Sequence, residues 1–243
     1  MRYFLLALGL LATLGARSSA PSFREQQLQY PRVRAAYAAK WPELQRLLVS
    51  HGIRASELEI FVRAFKIGRR LEVWGRNRGD AQLQLLRTYF IAGTSGTLGP
   101  KRCAGDGQVP EGFYSVNRFN PNSLYHLSLG LDYPNNSDML LSGSDPGGDI
   151  FIHGSDQTIG CLPITDALIE EVYVLAVEAR NAGQATIPVH IFPFELRDEN
   201  LTTYQHHAHH YFWQSLQPGY QYFEKHHDLP KVLVQPTGLY AFE

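Results

Sequence analysis

From about Leu58 onward the apolar residues recur with a period near two, in short runs closed by turn-forming residues, and this pattern restricts the fold more than any other feature. Leu58-Glu59-Ile60-Phe61-Val62, Arg70-Leu71-Glu72-Val73-Trp74 and Leu86-Arg87-Thr88-Tyr89-Phe90-Ile91 read as strands, because successive strand side chains point to opposite faces and a half-buried strand alternates. Their spacing predicts an antiparallel set joined by short turns. A loop-rich stretch over 93–112 follows, punctuated by Gly93, Gly96, Gly99-Pro100, Gly105, Gly107 and Pro110; such loops tend to line sites. Phe113 to Val116, Tyr125 to Leu129, Ile150 to Ile152 and Ile187 to Phe192 complete the strand candidates.

Helical patterns flank this unit. In 22–57, Val33, Ala36 and Tyr37 form one apolar stripe and Leu44, Leu47 and Leu48 another, with Pro42 expected to separate two helices and Gly52 to stop the second. Beyond Cys161, Leu168, Val172, Leu175 and Ala179 fall on one helix face that Thr165-Asp166 can cap and Gly183 can end. The tail reads as helical around Tyr211-Phe212-Trp213 and Tyr220-Gln221-Tyr222-Phe223, with a short strand after it. No internal repeat or low-complexity linker divides the chain. The expected fold is therefore α+β: a β-rich twisted sandwich or partly closed barrel over 58–196, a helical lead-in over 21–57 and a helical extension over 197–243 packed on the same body.

The start of the chain bears on compartment. Arg2 precedes an apolar run, Tyr3 to Leu14, of signal-peptide length, and Ser18-Ser19-Ala20 supplies a small-x-small site. Residues 1–20 are thus expected to be a signal peptide, cut after Ala20; Pro21 disfavours that cut, which keeps Ala16 as a second site and an uncleaved anchor as a further reading. No later stretch is long and apolar enough to span a bilayer. With a net charge of −1, the whole chain carries no electrostatic footprint for nucleic acid or an anionic membrane, so partners must be argued from a site. In an exported protein, the two cysteines, Cys103 and Cys161, form either one disulfide or a working thiol plus an incidental one.

The segment around Cys161 carries the chemistry. His153 ends a strand candidate, and Cys161 lies eight residues on, across a loop containing Gly154 and Gly160. An imidazole near a thiol lowers its pKa and later carries a proton to a leaving amine. Gly160 lets a substrate carbonyl approach the chain, so the N–H groups of Gly160 and Cys161 are candidates for an oxyanion hole. The His206, His207, His209, His210, His226 and His227 set completes no known metal spacing and reads as a solvated surface helix. No metal or cofactor is expected.

His153-Gly154 and Thr158-Ile159-Gly160-Cys161 match, at all but one place, the L,D-transpeptidase signature of a His-Gly strand end, a loop, and Ser or Thr, His, Gly, Cys. The chain resembles the YkuD-type L,D-transpeptidases. Ile159 occupies the second-His place, the loop is shorter, and Leu162-Pro163-Ile164 stand where an Arg is usual. These departures resemble the short-motif, murein L,D-transpeptidase-like branch of Gram-negative periplasms, as do Gly107 to Tyr114, Tyr125 to Asn135 and Gly219 to Glu224.

The resemblance implies an L,D-transpeptidase catalytic domain in the periplasm whose partners are peptidoglycan stem peptides. It makes Cys161 the nucleophile and His153 its base, attacking the L-centre carbonyl of meso-diaminopimelate to give a thioester, with Gly154 orienting the His and Thr158 within the motif. An amine or water resolves the thioester; release of a Lys-linked outer-membrane lipoprotein is the sharper reading beside transfer. His126, Asp132, Tyr133 and Asn135 are expected to hold the zwitterionic diaminopimelate end. Two rivals stay open: a non-catalytic peptidoglycan-binding module with a degenerate site, and a redox or metal-binding protein in which Cys161 pairs with Cys103.

Overall fold

The computed structural model describes residues 20–243, so the expected signal peptide lies, apart from Ala20, outside the described residues. Two helices open the chain, α1 (Phe23–Gln27) and α2 (Pro31–Ser50). Ser22 and Glu25 cap α1 reciprocally and Pro31 begins α2. α2 runs straight through Pro42. The expected break there does not occur, because Val33, Ala36, Leu44 and Leu48 bury one continuous face, which offsets the ~3 kcal/mol cost of an interior proline. The chain breaks earlier, at Leu28 to Tyr30, and Gly52 ends α2 with φ +70°.

Eight strands form one sheet: β1 (Leu58–Phe65), β2 (Arg70–Asn77), β3 (Gln84–Phe90), β4 (Gly112–Asn120), β5 (Ser128–Leu131), β6 (Phe151–His153), β7 (Leu162–Pro163) and β8 (Pro188–Phe192). Their spatial order is β3-β2-β1-β8-β4-β5-β6-β7, curled into a half-barrel. The β1/β8 and β6/β7 pairs are parallel and the others antiparallel. Two further helices follow parts of the sheet, α3 (Asn136–Leu141) after β5 and α4 (Asp166–Asn181) after β7. The tail carries α5 (Asp198–Thr203), α6 (His210–His226) and a hairpin of β9 (Val232–Val234) and β10 (Tyr240–Phe242). Among the described residues, no helix is long and apolar enough to cross a membrane.

Strand alternation sorts the two cores. Leu58, Ile60, Val62 and Ala64 of β1 face the cluster containing α2 and α4, whereas Phe61 and Phe65 face the aromatic clusters beneath α6. α4 is buried on nearly all sides, from Ile169 through Val172 to Ala179, so its single-face pattern understated its depth. Thr165 precedes it without a capping hydrogen bond from its side chain. The sequence reading missed α3, although Asn135 and Asp138 form a capping box at its start.

On the α6 side, one row crosses four strands in register: Glu72, Arg63, His190 and Phe113. The His190 ring meets Phe61 and Phe113 edge-on at 4.5 and 4.6 Å. Burial, with the nearby Arg63 charge, pushes its pKa down to about 3. The folded state therefore binds one proton fewer than the unfolded state between about pH 3 and the ordinary value of 6.5. Stability is expected to drop as the solution is acidified across that window, by up to ~1.4 kcal/mol per pH unit for this proton. Urea titrations at pH 7, 5 and 4 check it: His190→Phe should lose less stability on acidification than wild type.

Candidate active site

β4, β5, β6 and β7 carry the site. Asn120 pairs with Ser128, Ser128 with His153 and His153 with Pro163, while Leu129, Ile152 and Leu162 point the other way into the core. Because β6 and β7 are parallel neighbours, with Ile152 opposite Leu162 and His153 opposite Pro163, the loop over 154–161 returns Cys161 to the Phe151 end of β6, on the face that His153 shares. Both residues line one cavity of about 310 Å³, with Asn120, Ser128, Asp149 and Tyr125 among its walls. Leu124 and Ile159 form an open rim, 97% and 88% exposed.

The His153 tautomer follows from its partner. Nδ1 lies 2.5 Å from the Gly154 carbonyl, which can only accept, so Nδ1 carries the proton and Nε2 keeps a lone pair. Burial, outweighing this hydrogen bond, depresses the His153 pKa below 6.5; the ring rests neutral. Tyr125 covers it, with ring centroids 4.7 Å apart. Gly154 tolerates no side chain, since a Cβ would strike the Asp166 carboxylate and approach the Tyr125 carbonyl to 2.7 Å. Asp166 Oδ1 instead accepts from Ser155 N–H at 2.8 Å and ties the loop to α4.

Cys161 and Cys103 are both free. The Cys161 Sγ–H donates to the Asp149 carbonyl at 3.6 Å rather than to the imidazole. Burial first, with the Asp149 charge also acting, raises the thiol pKa above 9.0. The expectation that His153 lowers it is corrected for the resting site: a neutral ring lends no positive charge, so desolvation prevails. Thr158 holds the turn. Its hydroxyl accepts from Gly160 N–H (3.2 Å) and Cys161 N–H (2.8 Å) and donates to the Cys161 carbonyl (2.9 Å). Both N–H groups assigned to an oxyanion hole are thus engaged in the resting geometry. Gly160 has φ +134°, and a Cβ there would come within 3.0 Å of the Gln108 carbonyl.

The four residues expected to hold substrate lie elsewhere. His126 Nε2 contacts Glu170 Oε1 of α4 at 2.8 Å, and the residue sits ahead of β5 with φ +69° rather than within a strand. The Asp132 oxygens accept from Ser115 N–H and Oγ at 2.7 and 2.6 Å. Tyr133 is buried and donates its hydroxyl to the Pro146 carbonyl at 2.9 Å, and Asn135 caps α3. None lines the Cys161 cavity. The His cluster of the tail holds no metal-like arrangement; among the described residues no group of three potential ligands converges.

The protein described as "Putative L,D-transpeptidase YafK" in Escherichia coli K12 is 36% identical to this chain over 177 residues, spanning 72% of this chain and 70% of that protein. The protein of the same name from Escherichia coli O157:H7 gives the same figures. The chain belongs to the L,D-transpeptidase family. No family profile matches it. Solved structures with a similar chain course are the helical cell shape determining protein Pgp2 of Campylobacter jejuni (TM-score 0.45, 18% identity, 74% of each chain) and Bdellovibrio bacteriovorus Bd1075 (TM-score 0.41, 18% identity, 73% of this chain and 75% of that one).

Within the L,D-transpeptidase signature, this member replaces the second His by exposed Ile159 and keeps Thr158 as the hub of the turn. Thr158→Val removes one acceptor from two N–H groups and one donor. It is expected to cost about 1–3 kcal/mol, read as a lower urea midpoint, whereas Thr158→Ser keeps the bonds and should cost under ~1 kcal/mol. Sequence reading passed over Tyr125, Asp149 and Arg118. Their signal was alternation: Arg118 and Asn120 share a strand face, and Asp149 immediately precedes the short apolar run that ends in His153.

Proposed function

We propose that this family member is an exported, periplasmic cysteine enzyme that acts on peptidoglycan stem peptides at the L-centre of meso-diaminopimelate. The observation that carries the reading is one open cavity holding both a free thiol and a neutral imidazole whose Nε2 is unprotonated. As Sγ attacks the carbonyl carbon, the thiol proton passes to His153 Nε2 and the carbonyl oxygen becomes an oxyanion. Gly160 and Cys161 N–H then exchange Thr158 Oγ1 for that oxyanion. Collapse breaks the C–N bond, and His153 gives its proton to the leaving amine. In the second half, water or an amine loses its proton to His153 while adding to the thioester, and the thiol is restored.

With water as acceptor the enzyme releases a lipoprotein joined through its Lys ε-amine; with an amine it forms a new bond. Hydrolysis is the sharper reading, because Ile159 in the second-His place and Leu162-Pro163-Ile164 where an Arg is usual resemble the short-motif branch, which includes members that detach such a lipoprotein. A second reading, a peptidoglycan-binding module without turnover, is favoured by the raised Cys161 pKa and by the engagement of both N–H groups with Thr158.

Incubation of lipoprotein-bearing sacculi with the purified protein, followed by muropeptide digestion and mass spectrometry, separates the readings. Released lipoprotein with free tripeptides supports hydrolysis, new cross-links support transfer, and unchanged muropeptides with retained binding support the module.

A further inference from the structure

One residue row along from His153, two strand positions or about 7 Å away, Arg118 pairs with Gly130 and Gly130 with Phe151. This row faces the same side of the sheet as Asn120, Ser128 and His153. Gly130 leaves its centre bare: a Cβ there would stand 3.2 Å from Arg118 Cβ and 3.2 Å from its Nε. The Arg118 side chain therefore lies across β5, with its guanidinium 4.7 Å from the centre of the Phe151 ring. It ends in an exposed ion pair, Nη2 to Asp149 Oδ1 at 2.8 Å, with the two side chains 53% and 81% exposed. Asp149 and Phe151 both line the Cys161 cavity.

Asp149 thus joins two things. Its carboxylate holds Arg118, its carbonyl holds the Cys161 thiol proton, and its backbone sits at φ +54°. It follows a run without helix or strand from Ser142. We propose that Arg118 is the binding site for a substrate carboxylate, occupied at rest by Asp149, and that an incoming carboxylate displaces Asp149 and frees the thiol to turn toward His153. This rests on the proposed stem-peptide substrate, which carries free carboxylates, and it gives the site a way to keep its sulfur idle until the correct peptide arrives. An exposed pair is a weak competitor, since solvent screens both charges, whereas a bidentate guanidinium–carboxylate contact gains two charge-assisted hydrogen bonds at once.

The test uses a diaminopimelate-containing tetrapeptide and its fully amidated counterpart. Arg118→Ala should raise KM for the acid peptide roughly 10- to 100-fold while leaving KM for the amide within about 2-fold, and Arg118→Lys should recover part of the loss. Equal KM changes for both peptides, or none, overturn the proposal. Turnover of neither peptide by wild type would count against the proposed function instead. The present inference is then read from iodoacetamide alkylation of Cys161. The acid tripeptide should accelerate alkylation in Cys103→Ala protein and the amide should not, and Asp149→Ala should accelerate it without peptide. Alkylation insensitive to both overturns it.

Discussion

Cys161→Ala is expected to lower processing of lipoprotein-bearing or tetrapeptide-bearing muropeptides by roughly 10⁴-fold or more, since loss of a covalent nucleophile removes the whole two-step route. Cys103→Ala should change it less than about 2-fold. The contrast is built into the geometry: Cys161 opens onto the cavity shared with His153, while Cys103 sits exposed in a turn whose backbone N–H donates to Asp106 at 3.0 Å. A chromatographic assay of digested muropeptides checks both. Binding to sacculi should survive Cys161→Ala, because the substitution removes one sulfur atom and no recognition surface.

His153→Asn is expected to cost roughly 10²- to 10⁴-fold in kcat, the usual range for a lost general base. The pH profile of wild type then follows from the two shifted groups. His153 titrates below 6.5 because burial penalises its charged form, so the unprotonated base persists into mildly acidic solution and activity falls only beneath that value. Cys161 titrates above 9.0, so the resting site is thiol and neutral imidazole rather than an ion pair. Rate should hold level between about pH 6.5 and 9, and alkylation of Cys161 by iodoacetamide should climb with pH through 9. A thiolate plateau reaching down to pH 5 would instead mean a preformed ion pair. In His153→Asn the acidic limb should disappear along with most of the rate.

Much of this was legible from residue order because period and turn chemistry act locally. The alternation Leu58 to Val62 sets the two faces of β1, and the Gly-bounded loop from His153 to Cys161 sets the β6–loop–β7 return. Pro42 misled because helix continuity is decided by what α2 buries, a tertiary quantity. His126, Asp132, Tyr133 and Asn135 stand outside the Cys161 cavity for a related reason. Polar residues close in sequence to a site look like ligands, yet each satisfies a backbone or side-chain partner in a turn, a cap or a helix contact. Arg118 was hidden because it meets two cavity residues, Asp149 and Phe151, only by lying over Gly130 on the neighbouring strand, and pairing between strands is not written in either strand alone. The resting state of the thiol was equally out of reach, since it depends on burial and on the Asp149 carbonyl.

The central claim is that one sulfur carries the acyl group. Acid-quenched reactions with tetrapeptide substrate, read by intact-protein mass spectrometry and peptide mapping, test it most directly. The expected result is an adduct equal to the stem-peptide acyl group, mapped to Cys161, removed by hydroxylamine and absent in Cys161→Ala. Product accumulating while Cys161 stays unmodified at every quench time, or an adduct mapped to Cys103, contradicts it.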